Sequence, residues 1–584
     1  MATYIRVTDY KDSDSKEQGF FKSENRYEAN QSDFKKIPGS PIAYWVSDRV
    51  KDIFEKSANL ETISEFKTGM STGDNEKFQR IWYEVFYENI NFIVKDTKET
   101  RSLYEKWFPC KSGGEYHKWY GNNEMVVNWQ KDGQEIRNFK DEKGKLRSRP
   151  QNSQYFFKKS LTWSKITSYK LSLRYNDFGY TFDAVGLSAF IDDDNIYYVQ
   201  AFLNSNLSYF FTSMINQSMH IVINDMNKLP IIFPKQESIK QAIDTLTQEN
   251  INISKEEWDS RETSWDFSKN ELLKHKSDSK LESAYNNYCS YWKEKFYKLH
   301  ANEEELNRLF IDIYELQDEL TPDVALKDIT ILKSESIINE DKNIEFKADE
   351  IMKQFISYAV GVMFGRYSID SDGLVVANLN QDYPKDTTFE IDDDNVIPVL
   401  EDDYFSDDIA SRIINFVKTT FGSESLSENI NFIEKCLGKT VRAYMVKDFY
   451  EDHIKRYKKR PIYWMVSSPK KGFMSLSYMH RYTNDLFARV QNNYLREYIT
   501  KLEGTKDILR QIIVDESASS KDKKDADKKI KDIENKLKEL ISFDRDVLTS
   551  YAQNRVDIDL DDGVKVNYNK FKEVLYPIKG LDKE

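Results

Sequence analysis

The chain has 584 residues, 39% hydrophobic and 14% aromatic, with 85 Lys+Arg against 98 Asp+Glu for a net charge of −13. That length implies about three to five domains, and that apolar content excludes wholesale disorder. No apolar run reaches the roughly 20 residues of a membrane helix, the polar start lacks a signal-peptide core, and three dispersed cysteines (Cys110, Cys289, Cys436) make no disulfide framework or zinc knuckle; a cytoplasmic protein without a membrane partner is expected.

Residues 1–40 read as a polar lead-in ending in the turn signal IPGSP. A first α+β unit, 41–235, opens with an extended stretch and a short amphipathic helix. Gly69 and Gly73 then frame a polar loop carrying Ser71, Thr72, Asp74 and Asn75, with Lys77 just beyond, before a strand-like Phe78–Phe86. Such a loop is either a hairpin turn or a place where backbone N–H groups meet phosphate. It is not a P-loop, because the Gly-Lys-Ser/Thr ending is absent. His117 has no second ligand at metal spacing. Asp192 to Asn195 precede an apolar helical run as an N-cap would. Residues 236–325 show helical periodicity and read as a spacer, 326–490 as a second α+β region, 491–545 as an antiparallel helical hairpin and 546–584 as a tail. The tail motif DIDLDDGVKVNY fails as a calcium loop, since Asp562 stands where Gly is required and Tyr568 where Glu is.

The stretch with the strongest chemical signature is KGKLRSRPQNSQYFFKKSLTWSKITSYKLSLRYN, Lys143 to Asn176. It holds nine basic residues (Lys143, Lys145, Arg147, Arg149, Lys158, Lys159, Lys165, Lys170, Arg174) and no acid. Aromatics are interleaved, together with the amides Gln151, Asn152 and Gln154. Cations neutralise phosphates, amides read base edges and aromatics stack on bases, so the stretch is expected to contact nucleic acid; the alternative is a solvated basic face of a sheet. Residues 41–235 hold 26 Lys+Arg against 24 Asp+Glu, leaving 59 against 74 elsewhere. Screening over about 8 Å lets a near-neutral module meet DNA beside acidic ones. A second basic run, Lys455, Arg456, Lys458, Lys459 and Arg460, is either a DNA-backbone contact or a solvated helix end.

No Asn-Pro, Pro-Pro or Gly-x-Gly occurs in the chain, so the loops with which an amino-group methyltransferase holds its cofactor and flipped base are not readable here. Glu345-Phe346-Lys347 mimics a nuclease triplet, but Glu65-Phe66-Lys67 repeats it, and the nuclease reading is set aside.

Several stretches nevertheless carry a resemblance: YEANQSDFKKIPGSPIAYWVSD, WYGNNEMVVNW, GKLRSRPQN, DDDNIYYVQAFLNS, IDIYELQDELTP, MFGRYSIDSDGLVVAN, KRPIYW, YMHRY and IDLDDGVKVNY. From about residue 27 to 575 the chain resembles the C-terminal half of the PglX family, adenine-specific DNA methyltransferases of BREX phage-resistance systems, themselves similar to type IIL restriction-methylation proteins of the MmeI kind. The resemblance implies a target-recognition domain over 41–235. The family's S-adenosylmethionine-binding half would lie outside these residues, so no cofactor is expected in this chain. The expected partners are double-stranded DNA, a methyltransferase catalytic half or chain, and other defence-system proteins. Lys143, Lys145, Arg147, Arg149, Lys158, Lys159, Lys165 and Arg174 are the candidate phosphate or guanine contacts. Asn152 and Gln154 are candidates for base edges, and Ser71, Thr72, Asn75 and Lys77 for loop contacts. The rival readings are an acidic assembly scaffold that never touches DNA and an active methyltransferase with diverged motifs.

Overall fold

The first strands, β1 (Ala2–Ile5) and β2 (Arg26–Ala29), pair antiparallel around a helix, Ser13–Phe21, that Asp12 caps. In this computed structural model, which describes residues 1–167, 169–216, 218 and 220–581, the lead-in docks through Tyr4, stacked 4.7 Å from Tyr44. The helix Asp48–Lys56 follows, with Ser47 accepting the Val50 N–H, and leads into β3 (Ala58–Asn59).

The next eight strands are β4 (Ser64–Lys67), β5 (Gln79–Ile81), β6 (Trp107–Lys111), β7 (Met125–Asn128), β8 (Ser160–Ser164), β9 (Arg174–Asn176), β10 (Thr181–Phe182) and β11 (Gly186–Ile191). They sort into two four-stranded sheets, β10–β6–β7–β5 and β4–β11–β8–β9, in which only β10–β6 runs parallel. Side chains alternate across a strand. Leu161, Trp163, Leu187, Ala189 and Phe66 therefore share the face of the second sheet that enters the main core. Arg174, Thr162, Ser188 and Lys67 form a row on its other face. That face turns toward β6, whose Lys111 carbonyl would lie 2.5 Å from a Cβ on Gly186. β12 (Pro230–Ile231), within the LPIIFP stretch, returns to pair with β3.

The strand expected over Phe78–Phe86 is only β5. Asp74 accepts the Lys77 N–H and starts a one-turn helix, Asn75–Phe78, so the chain turns before it extends. The apolar run after Asn195 is two helices, Ile196–Asn204 and Asn206–Ile215, with Ser205 capping the second; the Asn195 side chain makes no capping bond.

Two long helices, Glu237–Asp259 and Leu281–Tyr314, pack on each other and on Ile196–Asn204. The second buries Leu281, Ala284, Tyr288, Trp292, Phe296 and Leu299 at helical spacing. The second α+β region opens with a small hairpin, β13 (Ser336–Ile338) with β14 (Ile344–Phe346). Beyond it lie the largely buried helix Ala348–Met363 and a three-stranded sheet, β15 (Ile397–Pro398), β16 (Tyr463–Ser467) and β17 (Met474–Tyr478), in the order β15–β17–β16. The helical pair is Arg496–Val514 against Ser520–Phe543. Its turn is short, because Ser519 caps the second helix and the charged stretch KDKKDADKK is already helical. The whole is a mixed α+β fold with small sheets, and among the described residues no helix is long and apolar enough to cross a membrane.

The tail closes back on the first unit. Asp561 accepts the Trp107 indole N–H at 2.8 Å, Arg80 donates to the Asp562 carbonyl at 3.0 Å, and Lys565 pairs with Glu76 at 2.8 Å. One continuous core threads all regions. A separate small one, built on Met70, Phe78, Phe108, Trp129, Phe156 and Phe182, lies beneath the loops described next.

Candidate nucleic-acid interface

The glycine-framed loop and the start of the basic stretch, some 75 residues apart, are zipped together through backbone. The Ser71 N–H donates to the Arg149 carbonyl at 3.0 Å, and the Arg149 N–H donates back at 2.8 Å. The Gln151 amide donates to the Gly69 carbonyl at 3.0 Å and the Asn152 amide to the Thr68 carbonyl at 2.9 Å. Gly73 has φ +80°, and a Cβ there would stand 2.8 Å from the Arg147 backbone, so only glycine lets the two loops meet this closely.

Residues 139–147 form a finger. The Arg147 N–H bonds the Phe139 carbonyl at 2.9 Å and the Asp141 N–H bonds the Lys145 carbonyl at 2.8 Å. The Asp141 carboxylate accepts the Lys143 and Lys145 N–H groups, and Gly144 supplies the left-handed residue of the turn at φ +80°. At its base Phe139 packs edge-on against Phe78, 5.1 Å between centroids. The Lys77 ammonium lies 5.0 Å from the Phe139 centroid and the Arg147 guanidinium carbon 5.3 Å, which puts loop and finger cations in one patch. Nearby, Tyr155 lies under the ammonium groups of Lys67 (4.8 Å) and Lys158 (5.4 Å), and its hydroxyl bonds Glu65. That hydroxyl, with Lys67, holds the Glu65 carboxyl below its ordinary range.

Lys77, Lys143, Lys145, Arg147, Arg149 and Lys158 are exposed, and among the described residues none has a carboxylate within 4 Å. Ser71, Asn75 and Gln154 are exposed beside them. Desolvated or paired cations contribute little to binding a polyanion, whereas solvated unpaired ones release counterions when phosphate replaces them.

Other sequence candidates lie elsewhere. Arg174 is 1% exposed, on the inward face of β9; among the described residues its side chain bonds only the His117 carbonyl, at 3.4 Å, and burial pulls its guanidinium down to about 10. It cannot touch DNA, because strand register points it between the sheets. Thr72 is buried as well, bonded to Asn75 and accepting the Asp74 N–H, so it shapes the loop from within. Asn152 spends its amide on Thr68 rather than on a base edge. Lys159 pairs with Asp193 at 3.2 Å and Lys170 with Asp328 at 2.6 Å. Lys165 is half-buried past the end of β8, its backbone joined to Val185 and Ile221, away from the finger.

The second basic run is an internal fastener. Arg456 reaches Glu262 at 3.8 Å and Glu350 at 3.7 Å, Lys458 pairs with Glu124, and Arg460 lies 3.5 Å from Glu84. Sequence reading missed Lys140, exposed on the finger's other strand, and Lys67, placed over Tyr155. The D-E-K-G sequence at Asp141–Gly144, an unused turn signal, is what could have found the hairpin that carries Lys140. Among the described residues no group of three or more His, Cys, Asp or Glu side chains gathers as metal ligands would. The arrangement presents unpaired cations around an apolar base.

No protein-family model matches the chain. Its relatives include an adenine-specific methyltransferase PglX from Lacticaseibacillus casei (strain Zhang), 38% identical over 606 residues that cover 99% of this chain and 49% of the relative. They also include an adenine-specific methyltransferase BrxX from Escherichia coli O9:H4 (strain HS), 33% identical over 581 residues that cover 94% of this chain and 46% of the relative. The chain spans about half the length of the curated relatives it matches.

Proposed function

We propose that this chain is the sequence-reading half of an adenine-specific DNA methyltransferase of a BREX-like phage-defence system, equivalent to the C-terminal half of such enzymes and akin to type IIL restriction-methylation proteins. The observation that carries the reading is the patch of unpaired cations on the loop 71–77 and the finger 139–149, on a molecule whose net charge is −13. The similarity to proteins named adenine-specific methyltransferases supports DNA as the polyanion. Backbone-fixed arginines at positions 147 and 149 set register on phosphates or read guanine, while Gln154 and Asn75 reach base edges.

Methyl transfer from S-adenosylmethionine belongs, in this reading, to a catalytic half or chain that partners this one. The glycine-framed loop is not a cradle for that cofactor, because Gly69 faces the Phe182 carbonyl and Gly73 the Arg147 backbone. Other defence-system proteins are the further partners.

The test is selection from a randomised duplex pool by the full chain at physiological salt. Enrichment of one short motif is expected. A pool that emerges unenriched would favour an acidic adaptor and remove the proposal.

A further inference from the structure

Where the first unit, the long spacer helices and the second α+β region meet, the chain forms a cleft, open on one side to solvent, of about 530 Å³. That is within the usual range of small-ligand sites, roughly 300–1,000 Å³. Tyr116, His117 and Trp258 form one wall, with His117 edge-on to Trp258 at 5.7 Å. Tyr116 Oη, His117 Nε2, Trp258 Nε1 and both carboxylate oxygens of Glu262 are shielded from solvent and have no hydrogen-bond partner among the described residues. Glu262 is only 6% exposed. Buried polar groups are normally paired, so these atoms, with Glu262 held among the described residues only by the 3.8 Å ion pair to Arg456, are open to a ligand or to ordered water.

The cationic side of the cavity is equally unbalanced. Arg261 is held by Glu257 and Glu335, Arg456 by Glu262 and Glu350, and Lys353 by Asp349. Lys333, Lys347 and Lys455 also line it and have no carboxylate within 4 Å among the described residues. Lys333 rests over the Tyr116 ring at 4.7 Å. It is set there by Leu332, a fully buried residue with φ +60°, a strained conformation for a leucine that the surroundings must enforce. Burial also pushes the His117 imidazole down to about 4, which leaves it neutral and able to accept or donate one hydrogen bond.

We infer that this cavity binds a nucleoside phosphate, its planar ring against Tyr116 and Trp258, its polar edge on the orphaned groups, and its phosphates on Lys333, Lys347 and Lys455. Aromatic faces and a cationic rim are what a base and its phosphate require together. An apolar ligand would leave the orphaned groups unsatisfied, and a bare polyphosphate would leave the aromatic wall unused. The ligand is either a free nucleotide or the end of a nucleic-acid strand. The inference does not rest on the DNA-reading role of the finger.

The experiment is calorimetric titration of the full chain with ATP, with inorganic triphosphate, and with a 5′-phosphorylated single-stranded tetranucleotide. It is repeated on Lys333→Ala/Lys455→Ala, whose side chains are exposed, and on Trp258→Phe, which deletes only an orphaned N–H and part of a ring. ATP or the tetranucleotide is expected to bind, and whichever does identifies the source. Inorganic triphosphate should bind at least tenfold more weakly than that ligand, and both variants should lose about tenfold or more, with duplex binding through the finger unchanged in either. Heat from neither organic ligand, triphosphate binding as tightly as they do, or variants matching the parent would each overturn the inference.

Discussion

Two short runs of this chain look alike on paper and do opposite things. Between Lys143 and Arg149 four cations fall in seven residues; between Lys455 and Arg460 five fall in six. In the denser run the fold pairs three of the five, Arg456, Lys458 and Arg460, with Glu262, Glu350, Glu124 and Glu84, the last two drawn from the first α+β unit more than 300 residues away in sequence. The sparser run stands on a finger where, among the described residues, no carboxylate lies within 4 Å of its cations. Charge density in sequence therefore does not tell which cations stay unpaired; the supply of carboxylates in three dimensions does. An acidic protein that keeps a few cations unpaired maintains an electrostatic asymmetry that nearby acids would otherwise cancel.

The contrast can be broken from the fastener side first. Glu84 is 4% exposed, accepts the Ile81 N–H at 2.9 Å and the Val564 N–H at 3.0 Å, and faces Arg460. Glu84→Ala leaves buried donors and a cation unpaired and should cost about 3–5 kcal/mol in denaturant unfolding, followed at the transition that releases the tail. Its effect on the salt dependence of duplex binding should be nil.

Next in size is Gly73→Ala, which adds a methyl into the Arg147 backbone at a left-handed residue and should cost about 1–3 kcal/mol. Because it pries the loop from the finger, duplex affinity should fall with it. Gly144→Ala sharpens the comparison: φ is also +80° there but nothing lies within 4 Å, so the cost should be about 1–2 kcal/mol, with little change in affinity.

A third effect depends on pH. Burial, and then the neighbouring Asp394, push the Asp392 carboxyl up to about 7. The folded state then binds that proton more tightly than the unfolded chain, so this group favours folding at low pH and progressively disfavours it as pH rises from about 4 to 7. Asp392→Asn should melt with the parent at pH 4 and above it at pH 8; a gain at pH 4 that vanishes at pH 8 would reverse the assignment. Smallest of all is Lys458→Ala, a half-exposed ion pair worth about 0.2–1 kcal/mol.

Much of the scaffold was legible because it is local. The 3.6-residue spacing of Leu281, Ala284, Tyr288 and Trp292 marks a helix in any context, and Gly69, Gly73 and the D-E-K-G turn mark loops. The site was legible in halves. Both the loop and the basic stretch are visible in sequence, but the Ser71–Arg149 bridge that joins them is long-range and leaves no periodic trace. Arg174 shows the limit most clearly. It sits among solvent-facing cations in sequence, yet strand alternation in β9 sends it inward, and that parity follows from the register with β8.

The central claim is that phosphates of a duplex replace solvent around Arg147 and Arg149 and not around Lys458 and Arg460. Its most direct test is the slope of log affinity against log salt for a duplex, measured on the parent, on Arg147→Ala/Arg149→Ala and on Lys458→Ala/Arg460→Ala. Each phosphate contact contributes about 0.9 to that slope, so the finger variant should be flatter by about 1.8 and the fastener variant unchanged. Equal slopes for parent and finger variant, or a flattening confined to the fastener variant, would contradict it.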